Sequence, residues 1–365
     1  MPALLAALPA DHPLVDGRVA GAPLLAALRG ERPAHRPVWF MRQAGRSLPE
    51  YREARRGTAM LDSCLTPALA AEITLQPVRR YGVDAAIFFS DIVVPMRVAG
   101  VEVDIAPGVG PVFARPVRTM ADVEALPHLG APGDGAPFDA GLEAIRAAVR
   151  LTVAELGSTP LIGFAGAPFT LAAYMVEGRP SRDHLGARRL MIESPEVWAG
   201  LAEWTSRAAG LFLRAQVTAG AAAVQLFDSW AGSLSEADYT EHCAPGSAAA
   251  LATVEDLPVP RIHFAAHGSH LLRAMAATGA TAMGVDYRMP LDEASRLLDG
   301  SLPLQGNIDP ARLAAPAEVL ERHVLDVLAR GSQAPGHVVN LGHGVPPETD
   351  PAALQRIVDL VHERG

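Results

Sequence analysis

Eight short apolar runs restrict this chain more than any other feature of its sequence. They are PVWFM (37–41), DAAIFF (84–89), LIGFA (161–165), AVQLF (223–227), RIHF (261–264), TAMGV (281–285), LPLQ (302–305) and HVVNL (337–341). Most of the gaps between them hold Ala-, Leu-, Arg- and Glu-rich stretches with helical spacing, at 140–156, 196–218, 269–278, 291–299 and 316–330. Strands that alternate with helices are joined by right-handed parallel crossovers, and eight such units close into a single α/β domain, a (β/α)8 TIM barrel. A doubly wound open sheet is the alternative. The stretches GLEAIR and GSLSEA lack the glycine spacing that a dinucleotide-binding version of that fold requires.

Each run leads into a polar motif: RQAGR, SD, GAPFT, DSWAG, AAHGS, DYR, GNID and GHG, in chain order. In a parallel barrel these motifs share one rim, at the carboxyl ends of the strands, where such folds place their active-site cleft. Eight separate motifs thereby become one predicted site. Residues 98–118 alternate around Gly-Pro turns and predict a hairpin excursion, and 130–137 (GAPGDGAP) predicts a surface loop. The domain reading is an N-terminal extension over 1–21, loosely attached, followed by the barrel over 22–365.

Composition narrows the chemistry. The 31 basic residues are all arginine, so there is no lysine to form a Schiff base, which excludes imine-forming aldolase and pyridoxal-phosphate chemistry. A net charge of −9 argues against a nucleic-acid partner. Yet residues 29–56 carry eight arginines against three acids, a basic patch suited to a small or medium-sized anionic ligand or to a solvated helix face. No apolar stretch reaches the length of a membrane span, and the apolar N-terminus lacks a basic leader and meets Asp11 early, so neither a membrane anchor nor a secretory signal is expected. Two cysteines, Cys64 and Cys243, do not make a disulfide framework and fit a cytoplasmic location.

Within the rim motifs, Asp91 stands among apolar residues, where a carboxylate needs cationic or N–H partners. It is either a helix cap or arginine partner, or a group that faces donors on a ligand. Arg42 and Arg46, separated by QAG, are placed to grip carboxylates or phosphates through their forked donors, or to form a structural ion pair. Arg55 is a weaker third clamp. Tyr174 is a core residue or a site hydroxyl. Ser229 is a hydroxyl contact rather than a nucleophile, since no Gly-x-Ser-x-Gly elbow surrounds it. His343 lies between two glycines that allow a ligand to approach closely. His267 with His270, and His242 with Cys243, lack zinc spacing, so no metal site is expected.

Taken together, PVWFMRQAGRSLPEYRE, FFSDIVVP, GFAGAPFTLAAYMVEG, QLFDSWAG, MGVDYRMPL, LQGNIDP and NLGHGV resemble, in order and from about residue 22 to 363, the motifs of the uroporphyrinogen decarboxylase family. The resemblance implies a β/α barrel that works as a cytoplasmic homodimer with neither cofactor nor metal. It also implies the reaction, loss of CO2 from the four acetate side chains of uroporphyrinogen III to give coproporphyrinogen III in haem biosynthesis. By position it assigns substrate binding to Arg42, Gln43, Ala44, Gly45, Arg46, Asp91, Tyr174, Ser229 and His343, with Asp91 and Arg42 catalytic and Phe227 on the cavity wall. Ser47 replaces the tyrosine usual after the second arginine, and FAAHGSH replaces a more glycine-rich stretch. A corrinoid- or thiol-linked methyltransferase on a similar barrel, or a tetrapyrrole carrier without activity, are the alternatives.

Overall fold

The computed structural model describes residues 8–130 and 136–365. Residues 1–7 of the expected extension and 131–135 of the expected surface loop lie outside the described residues.

Among the described residues nine strands are formed: β1 (Ala86–Ile87), β2 (Val103–Ala106), β3 (Gly110–Phe113), β4 (Leu161–Gly166), β5 (Ala223–Phe227), β6 (Arg261–Phe264), β7 (Ala282–Gly284), β8 (Leu304–Gln305) and β9 (His337–Val338). Seven of them make one parallel sheet in the order β1-β4-β5-β6-β7-β8-β9, so each strand lies beside its successor in the sheet. Helices connect these strands, as parallel pairing demands. β2 and β3 form the expected hairpin, antiparallel from Val103↔Phe113 to Ala106↔Gly110, and Phe113 N donates to Gly178 O at 2.8 Å.

The helices start and stop where backbone chemistry dictates. Pro67–Tyr81 and Pro168–Glu177 each begin on a proline, whose missing N–H would have had no partner in the first turn. Both end on a left-handed glycine, Gly82 and Gly178. The longest, Pro195–Ala219, packs along Glu143–Leu156 and Pro168–Glu177 on the outside of the sheet.

The first run, 37–41, differs from the expected strand. It contributes a single bridge, Val38↔Val339, rather than a ladder. Pro37 offers no N–H, and the chain turns at once, with Gln43 N bonding to Phe40 O, so little extended backbone remains to pair. That short stretch nevertheless touches both edges of the sheet. Val339 N donates to Pro37 O at 2.8 Å and Trp39 N to Val339 O at 3.2 Å, while Asp84 N donates to Val38 O at 2.9 Å. The architecture is thus a curled seven-stranded parallel sheet under an outer layer of helices.

Inside the curl runs a buried polar chain. Trp39 Nε1 donates to Gln305 Oε1 at 3.0 Å, Gln305 Nε2 to Gln225 Oε1 at 2.9 Å, and Gln225 Nε2 reaches Met41 Sδ at 3.9 Å. Buried amides so far from water hold one arrangement only when their donors are satisfied, so this chain fixes the segment 37–41 against β5 and β8.

From residue 8 onward the extension is not loosely attached. Leu8, His12 and Val19 are buried, His12 Nε2 lies 2.9 Å from Val217 O, and Arg18 Nη1 donates to Val153 O at 3.3 Å. His12 and Arg18 thus tie this segment to the last turns of two helices, Pro195–Ala219 and Glu143–Leu156. No described helix is long and apolar enough to cross a membrane.

Candidate active site

The rim motifs are sewn to one another by backbone and side-chain hydrogen bonds. Met41 N and Leu341 N both donate to the buried Asn340 Oδ1, at 2.9 and 2.8 Å, and Val345 N donates to Met41 O at 2.8 Å. These bonds fasten RQAGR to NLGHGV. GNID joins them through Ile308 N to Asn340 O and Gly342 N to Ile308 O. On the other side, Ala167 N donates to Phe227 O, Asp228 N to Phe264 O, and His267 N to Asp286 Oδ2. Asn307 Nδ2 donates to Asp286 O at 3.0 Å, which closes the gap between DYR and GNID. Seven of the eight motifs, all but SD, are thereby linked along the rim.

At its start, Arg42 takes a left-handed backbone conformation, φ 61°, which is unusual for a residue with a side chain and marks a position held by its surroundings. The surroundings are visible. Gln43, wholly buried, accepts from Phe40 N at 3.0 Å and donates to Ala85 O at 3.1 Å. Its side chain holds the turn against the segment that enters β1. Gly45 is not the left-handed residue of the turn. A Cβ there would lie 2.9 Å from Arg42 O, so glycine is required for close approach instead. Ala44 and Gly45 are half-buried, and Ser47 is buried with its hydroxyl unpartnered among the described residues.

The guanidiniums of Arg42 and Arg46 are exposed, and neither has a hydrogen-bond or ion-pair partner among the described residues. This removes the structural ion pair from their two sequence readings. Arg55 behaves otherwise: it donates to Tyr51 Oη at 2.8 Å, Ser63 Oγ at 3.3 Å and Thr58 O at 3.3 Å. It braces its own helix and is not a third clamp.

Asp91 shows the first of its sequence readings, a cap on the following helix. Its Oδ1 accepts from Val93 N at 3.0 Å, a turn that opens the helix Val94–Ala99. Its Oδ2 accepts no hydrogen bond among the described residues. Burial pushes its pKa up, against the opposing pull of Val93 N–H and of the positive charge of Arg42. Tyr174, half-buried, shares this field: burial and then the Asp91 charge push its hydroxyl up to about 12, while Arg42 pulls it down. His343 is held below the usual histidine value, first by burial and then by Arg42. Arg42 is thus electrostatically coupled to each of Asp91, Tyr174 and His343. Gly344 lies directly against the stem of Arg42, with a hypothetical Cβ 2.5 Å from its Cδ. Ser229 is half-exposed on the same rim, and Phe227, half-buried, meets Phe164 edge-on at 5.4 Å.

Three residues outside the expected site set brace this part of the rim: Trp230 and Thr170, from the rim motifs DSWAG and GAPFT, and His184. Trp230 stacks on Tyr174 with ring centroids 3.7 Å apart and on His184 at 4.1 Å. Thr170 Oγ1 donates to the buried Asp228 Oδ1 at 2.7 Å and accepts from Trp230 N at 3.2 Å. The DSW motif is visible as a post-strand signal, but its stacking partner His184 lies on a separate segment with nothing local to flag it. Neither His267 nor His270 assembles a metal group. His267 contributes its backbone N–H to Asp286, and His270 Nε2 lies 2.7 Å from Leu234 O. Cys64 and Cys243 are free and buried, and burial pushes both thiols up, away from the thiolate a zinc ion would need.

The fold and rim define a parallel β/α protein with two unpaired cations and a desolvated acid at the ends of its strands, an arrangement suited to an anionic ligand. Comparison with known proteins narrows the class. The uroporphyrinogen decarboxylase (URO-D) family profile matches residues 21–364. A uroporphyrinogen decarboxylase of Arthrobacter sp. (strain FB24) is 65% identical over 348 residues, covering 95% of this chain and 99% of that one. Another, of Leifsonia xyli subsp. xyli (strain CTCB07), is 60% identical over 375 residues, covering 98% and 99%. The chain belongs to the uroporphyrinogen decarboxylase family. Among solved structures, a methyltransferase from Methanosarcina mazei superposes with a TM-score of 0.76 at 18% identity, over 93% of this chain and 97% of that one, a likeness of fold.

Proposed function

We propose that this chain is a uroporphyrinogen decarboxylase, a carboxy-lyase that removes CO2 from the four acetate side chains of uroporphyrinogen III and leaves methyl groups. The observation that carries this reading is the coupling of Arg42, a guanidinium without a counter-ion among the described residues, to an acid with an open oxygen, with Arg46 on the same loop. The substrate offers the complement, a periphery of eight carboxylates around four inward-facing pyrrole N–H groups. Arg42 and Arg46 bind the periphery, and Asp91 accepts from the N–H centre. Tyr174, Ser229 and His343 complete the wall, and Gln43, Ala44 and Gly45 shape the turn that presents the arginines.

The chemistry is dictated by where electrons must go. A departing CO2 leaves its bonding pair on the side-chain carbon, so the ring has to accept it. Protonation of a ring carbon makes a cationic pyrrole, which the Asp91 carboxylate stabilises through its N–H. The C–C bond then breaks, its pair forms an exocyclic methylene, and the charge on the ring is neutralised. A second proton converts the methylene to methyl, and loss of the first restores the aromatic ring. A guanidinium surrenders a proton only above about pH 12. The proton source is therefore a water held by Arg42 or His343, and Arg42 acts as an electrostatic partner to the departing carboxylate. An electron sink lies within the substrate, so the site needs no cofactor.

The finer architecture belongs to the same proposal. The bridge at Val38, bonded on both sides, stands as the eighth strand position of a (β/α)8 barrel. The enzyme works in the cytoplasm as a homodimer. Anaerobic incubation of the purified protein with uroporphyrinogen, then oxidation and chromatography, should yield porphyrins with seven down to four carboxylates. Unchanged eight-carboxylate material would exclude the activity and favour a carrier.

A further inference from the structure

We propose that His35, Asp84 and His362 form a binding site for one divalent transition-metal ion of the zinc class, at the end of the sheet opposite the active site. The three residues come from separate parts of the chain: the segment before the first run, the entrance to β1, and the last turn of the helix Pro351–Arg364. His35 Nε2 lies 2.9 Å from Asp84 Oδ1, and His362 Nε2 lies 2.9 Å from Asp84 Oδ2. Together they offer two imidazole nitrogens and a carboxylate oxygen, all within 4.8 Å of one another. Among the described residues this is the only such group of three.

The donor set and its frame fit a metal. Two imidazoles and one carboxylate suit zinc, cobalt or nickel better than calcium or magnesium, which prefer oxygen throughout. Tetrahedral zinc, with bonds of about 2.0–2.1 Å, holds neighbouring ligand atoms roughly 3.3 Å apart. Both N···O separations already fall inside that span, so only the two rings have to draw together. The carboxylate is oriented by Val38 N, which donates to Oδ2 at 2.8 Å, an outer-shell contact of the kind that fixes metal ligands. The two rings meet edge to face at 4.8 Å. Each histidine side chain is 35% exposed while Asp84 is 10% exposed, so an ion enters from solvent without opening the core.

Binding replaces two N–H···O hydrogen bonds with two N–metal bonds. The proton leaves each Nε2 and one is taken up at Nδ1, so neutral rings bind without net proton release and a protonated ring releases one proton. The bound ion staples the C-terminal helix to the start of β1 and to the segment entering the first run. This site carries no step of the decarboxylation, and its test does not depend on that reading.

The test uses the full chain, with any affinity tag removed, stripped with a chelator and titrated with Zn²⁺ or Co²⁺. Elemental analysis after desalting should find one equivalent of metal, Co²⁺ should show the visible absorption of a tetrahedral nitrogen–oxygen site, and the thermal midpoint should rise with added zinc. His35→Gln and His362→Gln, both at partly exposed positions, should each weaken binding by about 10–100-fold and abolish the thermal shift. Turnover should not change. Substoichiometric binding by the parent protein, or undiminished binding by both variants, would overturn the proposal. The cobalt spectrum of the parent decides the matter even if a variant folds poorly.

Discussion

Arg42 concentrates most of the residue-scale physics of the cleft. Its backbone is left-handed, its side chain is exposed and without a counter-ion, and its stem rests on Gly344. Such an arrangement persists only because Gln43 and Asn340 lock the turn on both sides. Arg42→Lys keeps the charge and loses the fork, so kcat/KM should fall by about tenfold or more, the scale of one charged hydrogen bond. Wild-type kcat/KM in that variant would mean that charge alone suffices. Gly344→Ala brings a methyl 2.5 Å from Arg42 Cδ, which a flexible side chain escapes by moving. The expected result is a raised KM with an unchanged thermal midpoint, and a fall in the midpoint alone would show that Arg42 had not been displaced. The arginines, the open glycine contacts and Asp91 were legible in the sequence because their residue types are costly wherever they are not used. The role of Gln43 was not, because an amide facing a ligand and an amide facing its own turn read alike.

At the scale of elements, the support for Tyr174 is a stack and a buried acid. Asp228 is buried, one oxygen accepts from Thr170 and the other has no partner among the described residues, and burial pushes its pKa from the ordinary carboxylate value up to about 7. Folded chain therefore holds a proton here that unfolded chain has released above about pH 4. Stability from this group is complete below the unfolded value and is lost as pH rises through about 7. Each unit of that window is worth about 1.4 kcal/mol, so urea unfolding at pH 8 should lie on the order of 2 kcal/mol below that at pH 5 on this account. Asp228→Asn should remove most of that difference. An unchanged slope would place the titration elsewhere. The runs, the hairpin and the helices with their proline starts were predictable because period and punctuation are local properties. The Tyr174–Trp230–His184 stack was not, because it joins three segments that only the folded sheet brings together.

For the whole molecule, the alternation of runs and helices predicted the curled parallel sheet, and hydrogen bonds link seven of the eight polar motifs at the strand ends. Two expectations changed for physical reasons. The first run is shortened to a bridge by Pro37 and the turn at Gln43, and residues 8–21 are anchored because Leu8, His12 and Val19 are buried and His12 and Arg18 bond to the ends of two helices. On the proposed function, one acid, Asp91, serves all four decarboxylations. Losing a preorganised electrostatic partner costs about 3 kcal/mol, on the order of 10²–10³ in rate. The measurement that bears most directly on this account is the time course of products from uroporphyrinogen, run anaerobically for the parent protein and for Asp91→Ala. The account predicts that the parent proceeds to the four-carboxylate product and that Asp91→Ala slows every step by at least that factor, Asp91→Glu less. Four-carboxylate product formed by Asp91→Ala at a near-parental rate would contradict it.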